Sequence, residues 1–402
     1  MTVSLAPKHQ LYDVVIIGGA MYGSAVAWFL RKLGFDGRVL VVERDPTYAQ
    51  ASTSHTNSCI RQQFSNETNV RISQFGAAFM KSFQSQMDDD PRVPNIAIQS
   101  YGYMYLAGDQ SAVAGLAEAQ RIQAAGGAAT RHMSAAEIKE TYPFYNVDDI
   151  LAGNHNLVDE GYFDGGTMFD WFRKSAGERG VEFVRETVVA MTRNAGGSAV
   201  DSVTLASGAV VSSGVVVNCT GPRAAQTAAM AGISIPVEPR KRYTFIFDAA
   251  TPLEQDMPLT IDPSGVHMRS DGRYYLAGCP PDDDPAVAPD DFAFDHNLWE
   301  NKVWPALAHR VPQFEAVRVI NEWVGHYDYN VFDQNAIIGP HDKLANFYFA
   351  NGFSGHGLQQ TPALARGLAE MILFGEYRTL DLRAFHFDRI EQGARFVEKA
   401  VI

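Results

Sequence analysis

Asp13 to Glu43 reads in unbroken register as a strand, a glycine turn, a helix and a second strand. Asp13–Ile17 (DVVII) is a short β-branched run, the pattern of a strand covered on both faces in a parallel sheet. Gly18-Gly19-Ala20-Met21-Tyr22-Gly23 follows, then Ser24–Leu33 with helical apolar spacing, and Gly34 closes that helix. Val39–Val42 (VLVV) is the second strand, and it ends in Glu43, 20 residues past Gly23. A βαβ unit of this kind suits a dinucleotide. Gly18 permits the tight turn, the backbone at Ala20 approaches a pyrophosphate, and Gly23 lets helix and strand pack closely. The unpaired N–H groups and positive dipole end of the helix face the phosphates. Glu43 accepts hydrogen bonds from ribose hydroxyls and repels a 2′-phosphate, which disfavours NADP. Alanine at the second glycine position departs from the G-x-G-x-x-G pattern and crowds the turn slightly.

Val14–Leu30 carries no charge, and Ala25-Val26-Ala27 looks like a signal-peptidase site. Its glycines, a length short of the ~20 residues of a bilayer span, and a preceding Asp13 in place of basic residues favour the folded strand, turn and helix. Composition removes other classes. The 402 residues carry 33 Lys plus Arg against 46 Asp plus Glu, a net charge of −13, with no basic run longer than Arg240-Lys241-Arg242. Nucleic-acid binding draws on clustered Lys and Arg, so no such partner is expected. At 46% hydrophobic residues the chain fills a large core, and its length implies two or three units of roughly 150 residues. Cys59, Cys219 and Cys279 lie far apart and fit reduced thiols, so a cytoplasmic location is expected. No i, i+4 histidine pair and no CxxC is present, so no metal is expected, and the lack of GxSxG removes the commonest hydrolase signature.

Further along, Ala49–Phe64 (AQASTSHTNSCIRQQF) is a polar loop, Ile72–Met87 an amphipathic helix, and residues 96–106 an alternating strand. Ser134 and Glu137 form a capping box. A helix over Phe169–Arg179 precedes strands at 181–190 and 200–206. Val215–Gly221 (VVVNCTG) is a second buried strand that rejoins the N-terminal sheet, and residues 240–280 alternate as strands. The segment 280–291 (PPDDDPAVAPDD) reads as a mobile, solvated connector without chemistry. Ala350–Gly357 (ANGFSGHG) is a second glycine turn, leading into a helix over 361–374.

These pieces in this order resemble the D-amino-acid oxidase superfamily of FAD-dependent oxidoreductases. The likeness rests on VVIIGGAMYGSAVAWFL, ASTSHTNSCIRQQF, VVVNCTG, PVEPRKRYTFIF, and NAIIGPH followed by GFSGHGLQQTPALA, which together span nearly the whole chain. It implies an α/β fold with a Rossmann-type FAD-binding domain over residues 10–90, 150–225 and 335–402. It implies a discontinuous α+β substrate domain, built on an antiparallel sheet, over 91–149 and 226–334. It also implies oxidation of a C–N bond in a secondary or tertiary amine or an N-substituted, opine-like amino acid. The product is an imine that hydrolyses, and the electrons pass to O2, a quinone or a carrier protein. The cofactor carries such chemistry while the protein orients the substrate.

Carried over to this sequence, the resemblance sets FAD against Gly18, Gly19, Ala20, Met21, Tyr22 and Gly23, then Glu43 and Arg44. It adds Ser52, Thr53, Ser54 and His55 of the polar loop, Val188, Thr220 and Gly221. The second glycine turn contributes Gly352, Phe353, Ser354, Gly355, His356, Gly357, Leu358 and Gln359. In dimethylglycine dehydrogenase-like members a histidine at the place of His55 is joined to the flavin. A histidine in a polar loop also serves as an ordinary hydrogen-bonding group, and both readings stand open. Arg61 and Arg242 match arginines that hold a substrate carboxylate, which a planar guanidinium grips through two hydrogen bonds; for each, an ion pair is the alternative. His326, Tyr327 and Tyr329 (GHYDYN) fall in a turn placed near flavin and substrate, or serve as core aromatics. His326, Tyr327 and His356 are the candidate catalytic groups, and Arg61, Arg242, Tyr327, Tyr329 and Gln359 the candidate substrate contacts. Gln359 stands where sarcosine oxidase-like members carry a carboxylate-binding lysine. No lysine occurs in RYYLAGCPP, near where oxidases place an oxygen-activating one, so a dehydrogenase is favoured.

Two other functions fit the same motifs: a 2-hydroxy-acid dehydrogenase, and a flavoprotein acting mainly as an assembly or binding factor. An NAD-only dehydrogenase shares the βαβ unit but leaves the late glycine turn without a purpose.

Overall fold

A computed structural model of the protein describes residues 3–401. Leu11–Ile17 runs parallel to Val39–Glu43 on one side and to Val210–Asn218 on the other. The sheet continues to Glu182–Arg185 at one edge, and through Phe347–Asn351 to Ile337–Pro340 at the other. Only the last of these pairings is antiparallel. Strands covered on both faces require unbroken apolar sequence, and Val14–Ile17, Val39–Val42 and Val215–Val217 supply it.

The helix Met21–Lys32 crosses between the first two strands and buries every residue from Met21 to Leu30. Trp28 packs against Phe29, Phe172 and Phe79, and its indole N–H donates to Ser175 Oγ at 3.1 Å. The uncharged stretch that imitates a targeting signal is therefore core of the first sheet. No helix among the described residues is long and apolar enough to cross a membrane.

A second, mostly antiparallel sheet runs in the order Val317–Asn330, Val237–Ala249, Tyr274–Cys279, His267–Asp271, Leu259–Ile261, Tyr103–Ala107, Ala152–Asn156, Arg131–Ser134. Its core gathers Phe245, Phe247, Tyr275 and Phe314. Ala152–Asn156 pairs with Tyr103–Ala107 here, although the division drawn from sequence sets residues 150–225 with the nucleotide-binding part.

Element boundaries differ from expectation where a cap or a turn intervenes. The helix expected over 72–87 begins at Glu67, because the Asn66 side chain accepts from Asn69 N–H, and runs to Lys81. The strand expected over 96–106 shrinks to Tyr103–Ala107. Gly102 turns the chain with φ +89°, and Gln99 pairs instead with Tyr162. The helix Gly165–Glu178 starts at an Asp164 cap, and the late helix spans Gly357–Phe374. The Ser134–Glu137 capping box forms as read.

Candidate active site

A long cavity lies between the two sheets, and the first glycine turn floors one end of it. Gly18 adopts φ +93°, and a Cβ there would stand 2.4 Å from the Cys219 carbonyl oxygen. A Cβ on Gly23 would stand 1.8 Å from the Gly18 oxygen, so both positions must be glycine for helix and strand to meet. Ala20 caps the helix without a side-chain hydrogen bond, and its own side is open to the cavity. Met21 N–H faces Thr53 Oγ1 at 3.4 Å. Glu43 accepts from Gly19 N–H at 2.8 Å and from Asp45 N–H at 2.7 Å, and burial raises its carboxyl above the ordinary range. Glu43 thus pins the turn from the end of the second strand.

Those features fit an FAD: glycine where a Cβ would collide, a helix start without a side-chain cap, and an acid at the second strand's end. Arg44, Ser52, Thr53, His55, Val188, Thr220 and Gly221 line the same cavity, as do Gly18, Ala20, Met21, Tyr22 and Glu43. Gly19, Gly23, Ser54 and Gly352 lie behind its wall and shape it; Ser54 Oγ donates to the Tyr48 carbonyl at 2.7 Å. His55 Nδ1 is 3.1 Å from the Ala51 carbonyl, which makes Nδ1 the protonated nitrogen and leaves Nε2 for another partner.

The second glycine turn closes the other end. Gly352, Ser354 and Gly355 all take positive φ. Asp328, buried on the strand Val317–Asn330, accepts from Gly352 N–H at 2.8 Å, while its own carbonyl accepts from Ser354 N–H. Burial drives this carboxyl from 3.8 up to about 7. Phe353 stacks on Tyr22 at 3.8 Å and the Tyr22 hydroxyl donates to the Gly357 carbonyl, which ties the two glycine turns together. Phe353, Ser354, Gly355, His356, Gly357, Leu358 and Gln359 line the cavity.

Between the turns the cavity is walled by side chains from the second sheet and from the Ala49–Phe64 loop. The paired strands Val237–Ala249 and Val317–Asn330 put Arg242 opposite Gly325 and Lys241 opposite His326. Alternation then shows Gly325 and Tyr327 on one face and His326 and Asp328 on the other, and all four border the cavity. Arg242 lies 4.6 Å over the Tyr327 ring. Tyr329 sits outside the lining, beneath Arg240 at 4.5 Å. Arg61 is buried against Phe64 and near Tyr103 and Tyr105. Its backbone N–H donates to Gln359 Oε1 at 2.9 Å, its Nε donates to the Gln63 carbonyl, and its Nη2 donates to the Ala400 carbonyl. His356 Nε2 also meets the Ala400 carbonyl, at 3.2 Å. Burial, with Arg61 nearby, holds the His356 imidazole neutral, well below its ordinary value. His326 Nε2 donates to the Asp291 carbonyl at 2.8 Å, and burial lowers its basicity as well.

Several lining groups escaped the sequence reading. Asn57, Cys59, Tyr103, Thr244 and His267 all line this part of the cavity. His267 lies with its Nε2 2.9 Å from the Asn57 amide nitrogen, and burial, then Arg242 and Arg269, lower it to about 3. Glu160 is fully buried, accepting from Gln62 N–H, Gln63 Nε2 and Asn156 Nδ2, and it anchors the chain just past Arg61. Burial raises it from 4.5 to about 7. Asn57, Cys59 and Thr244 stand inside quoted motifs without a role assigned to them, whereas Tyr103, Glu160 and His267 belong to no motif and are brought in by strands or turns distant in sequence.

The segment 280–291 is not the free connector its composition implied. Asp284 pairs with Arg240 and Arg242, Asp290 with Arg44 and Arg223, and Asp291 with Lys241, while Pro289 lines the cavity. An acidic strap crosses a basic rim. Among the described residues no group of three or more His, Cys, Asp or Glu is placed to hold a metal ion.

The sequence matches the family described as DAO, FAD dependent oxidoreductase, over residues 13–371. FAD-dependent oxidoreductase domain-containing protein 1 of Bos taurus is 35% identical over 440 residues, covering 100% of this chain and 89% of that protein. Mitochondrial sarcosine dehydrogenase of Homo sapiens is 25% identical over 400 residues, covering 94% of this chain but 42% of that protein. Among solved structures, the L-proline dehydrogenase from P. horikoshii superposes with a TM-score of 0.82 at 25% identity, covering 98% of this chain and 100% of that one. Matched over most of its length and carrying the glycine cradle that the cofactor requires, this chain belongs to the DAO family of FAD-dependent oxidoreductases.

Proposed function

We propose that the enzyme oxidises the C–N bond of a secondary or tertiary amine, an N-substituted amino acid of opine-like type. The observation that carries the reading is the lining of the cavity between the two turns, where two buried guanidiniums stand, Arg242 over the Tyr327 ring and Arg61 beside Tyr103. A guanidinium recognises a carboxylate, and the Tyr327 ring offers an apolar face beside it. The similarity to sarcosine dehydrogenase and to an L-proline dehydrogenase, both named for secondary amines, supports the class.

When bound, FAD supplies the acceptor for the two electrons released. The substrate carbon beside nitrogen gives up a hydrogen with its electron pair and a C=N bond forms, as an iminium that a secondary amine neutralises by losing its N–H proton and a tertiary amine keeps until water adds. Water then adds and splits that bond into a carbonyl compound and a shorter amine. A 2-hydroxy acid fits less well, because its hydroxyl proton must be taken by a base matched to neutral pH. His267 and His356 are buried and too weakly basic for that role, and the Asp328 carboxyl, raised to about 7, is turned to the Gly352 N–H. An ammonium with a pKa of about 10 sheds its proton to solvent far more readily than an alcohol does, so the neutral amine can be drawn from its minor population in solution.

A dehydrogenase is favoured over an oxidase, since no lysine lines the cavity among the described residues and Gln359 is committed to the Arg61 backbone. His55 holds the cofactor either by a hydrogen bond or by a covalent link, and acid precipitation separates the two by whether the colour stays with the pellet. The function is tested by product analysis. With an artificial electron acceptor, N-methyl and N-alkyl amino acids are expected to yield aldehyde or keto acid and shorter amine in equal amounts. Turnover of 2-hydroxy acids alone would overturn the reading.

A further inference from the structure

The strap 280–291 reaches the cavity with Pro289 and otherwise grips side chains that line it. At the nucleotide end Asp290 joins Arg44 and Arg223. Over the substrate strands, Val287 N–H donates to the Pro239 carbonyl and Lys241 Nζ donates to Asp291 Oδ1 at 2.8 Å. The Asp291 carbonyl accepts from His326 Nε2, and Phe292 stacks on that imidazole at 4.3 Å. Between these anchors, Asp284 meets Arg242 edge to edge, with Nη1 2.7 Å from Oδ1 and Nη2 3.1 Å from Oδ2. That is the two-point geometry by which arginine holds a free carboxylate. Asp284 reaches it in left-handed backbone, φ +37°, a region that residues other than glycine rarely adopt. Arg242 is itself buried, and its Nε has no partner among the described residues.

We propose that Asp284 is a built-in occupant of the substrate carboxylate clamp, displaced from Arg242 only by a substrate that brings a carboxylate of its own. The inference rests on the reading of Arg242 as that clamp. It makes Asp284 a specificity-determining residue. A neutral amine has nothing to offer Arg242 and leaves the strap closed, whereas an anionic one exchanges carboxylate for carboxylate and frees the strap at His326. An occupied clamp lowers the apparent affinity by the fraction of time it stands free.

The test uses FAD-loaded enzyme and propionate, a carboxylate with no oxidisable nitrogen, titrated through the flavin absorbance. Asp284→Asn and Asp284→Ala are expected to bind propionate about tenfold more tightly than the unchanged enzyme, since removing an occupant present nine-tenths of the time restores that factor. Asp282→Asn, which breaks the strap's pair with Lys302 away from the clamp, is expected to leave it unchanged. Unchanged or weaker propionate binding in both Asp284 variants overturns the proposal. If those variants fail to load FAD, hydrogen exchange on the unchanged holoenzyme decides. Propionate is expected to speed exchange at Asp284 and Val287, and no change there overturns the proposal. If amines bleach the flavin while propionate leaves the strap still, this inference alone fails. If propionate frees the strap while no amine bleaches the flavin, only the amine chemistry fails.

Discussion

At the nucleotide end of the cavity the deciding groups are backbone atoms of one short run, Gly18–Gly23, steadied by a single acid, Glu43. At the end we propose for the substrate they are side chains from distant segments, Arg61, Arg242, His267, Tyr327 and Gln359, and Arg61, Arg242, His267 and Gln359 are already hydrogen-bonded within the protein. The first end is fixed by sterics and has little room to vary. The second is a set of exchangeable polar contacts, so it can be retuned for one substrate or another without disturbing the fold. The cofactor's grip and the substrate's identity are therefore separable, and each substitution below should move one without the other.

Gly23→Val is the largest break. Its Cβ would fall 1.8 Å from the Gly18 oxygen, so the first helix and strand cannot pack, and a loss beyond about 4 kcal/mol is expected. Soluble yield and the FAD-to-protein ratio should both collapse; near-normal FAD content would show the turn to be less constrained than its geometry. Arg61→Ala and Arg242→Ala come next. Each should raise KM for a carboxylate-bearing amine by roughly 10- to 100-fold, the worth of a charged hydrogen-bonded pair, with FAD content unaltered. If KM holds steady in both, the clamp is lost from the account.

Stability against pH probes the buried acids beneath the substrate side. Glu160 sits near 4.5 when unfolded and about 7 when folded, so the folded chain holds the extra proton between those values. Its contribution to stability is therefore lost as pH rises from 4.5 to about 7, and Asp328 acts in the same direction from 3.8. Glu160→Gln should flatten the fall in unfolding free energy over that range by an amount on the order of 1–3 kcal/mol, read from denaturant unfolding at each pH. The Gln63 Oε1 atom, which has no partner, can turn to accept from the new amide. A slope equal to that of the unchanged protein would remove Glu160 as its source. The smallest effect is expected from Glu43→Gln, which keeps the shape and removes the charge. FAD affinity should weaken about tenfold, with KM unchanged once the enzyme is saturated with cofactor.

Much of the cofactor end could be read from letters alone, because strand, turn, helix and acid are consecutive and their physics is local. The capping box at Ser134 was equally readable for that reason. The substrate end was not. His267 and Asn57 meet across 210 residues, and Glu160 reaches Gln62 across 98, so no spacing signals either contact. The segment 280–291 misled through composition: proline and aspartate suggest solvent, and only the Arg44, Arg223, Arg240, Lys241 and Arg242 side chains reveal it as a strap. Arg61 was found from its motif, but its bond to the Ala400 carbonyl, held in place by Glu398 on Ser65 and Asn69, was not foreseeable.

The decisive observation is the colour of the flavin under nitrogen. Holoenzyme mixed anaerobically with paired compounds, an N-methyl amino acid and the 2-hydroxy acid of the same carbon skeleton, should bleach with the amine and stay yellow with the alcohol. Bleaching by the hydroxy acid, with the amine inert, would contradict the assignment of this cavity to C–N bond oxidation.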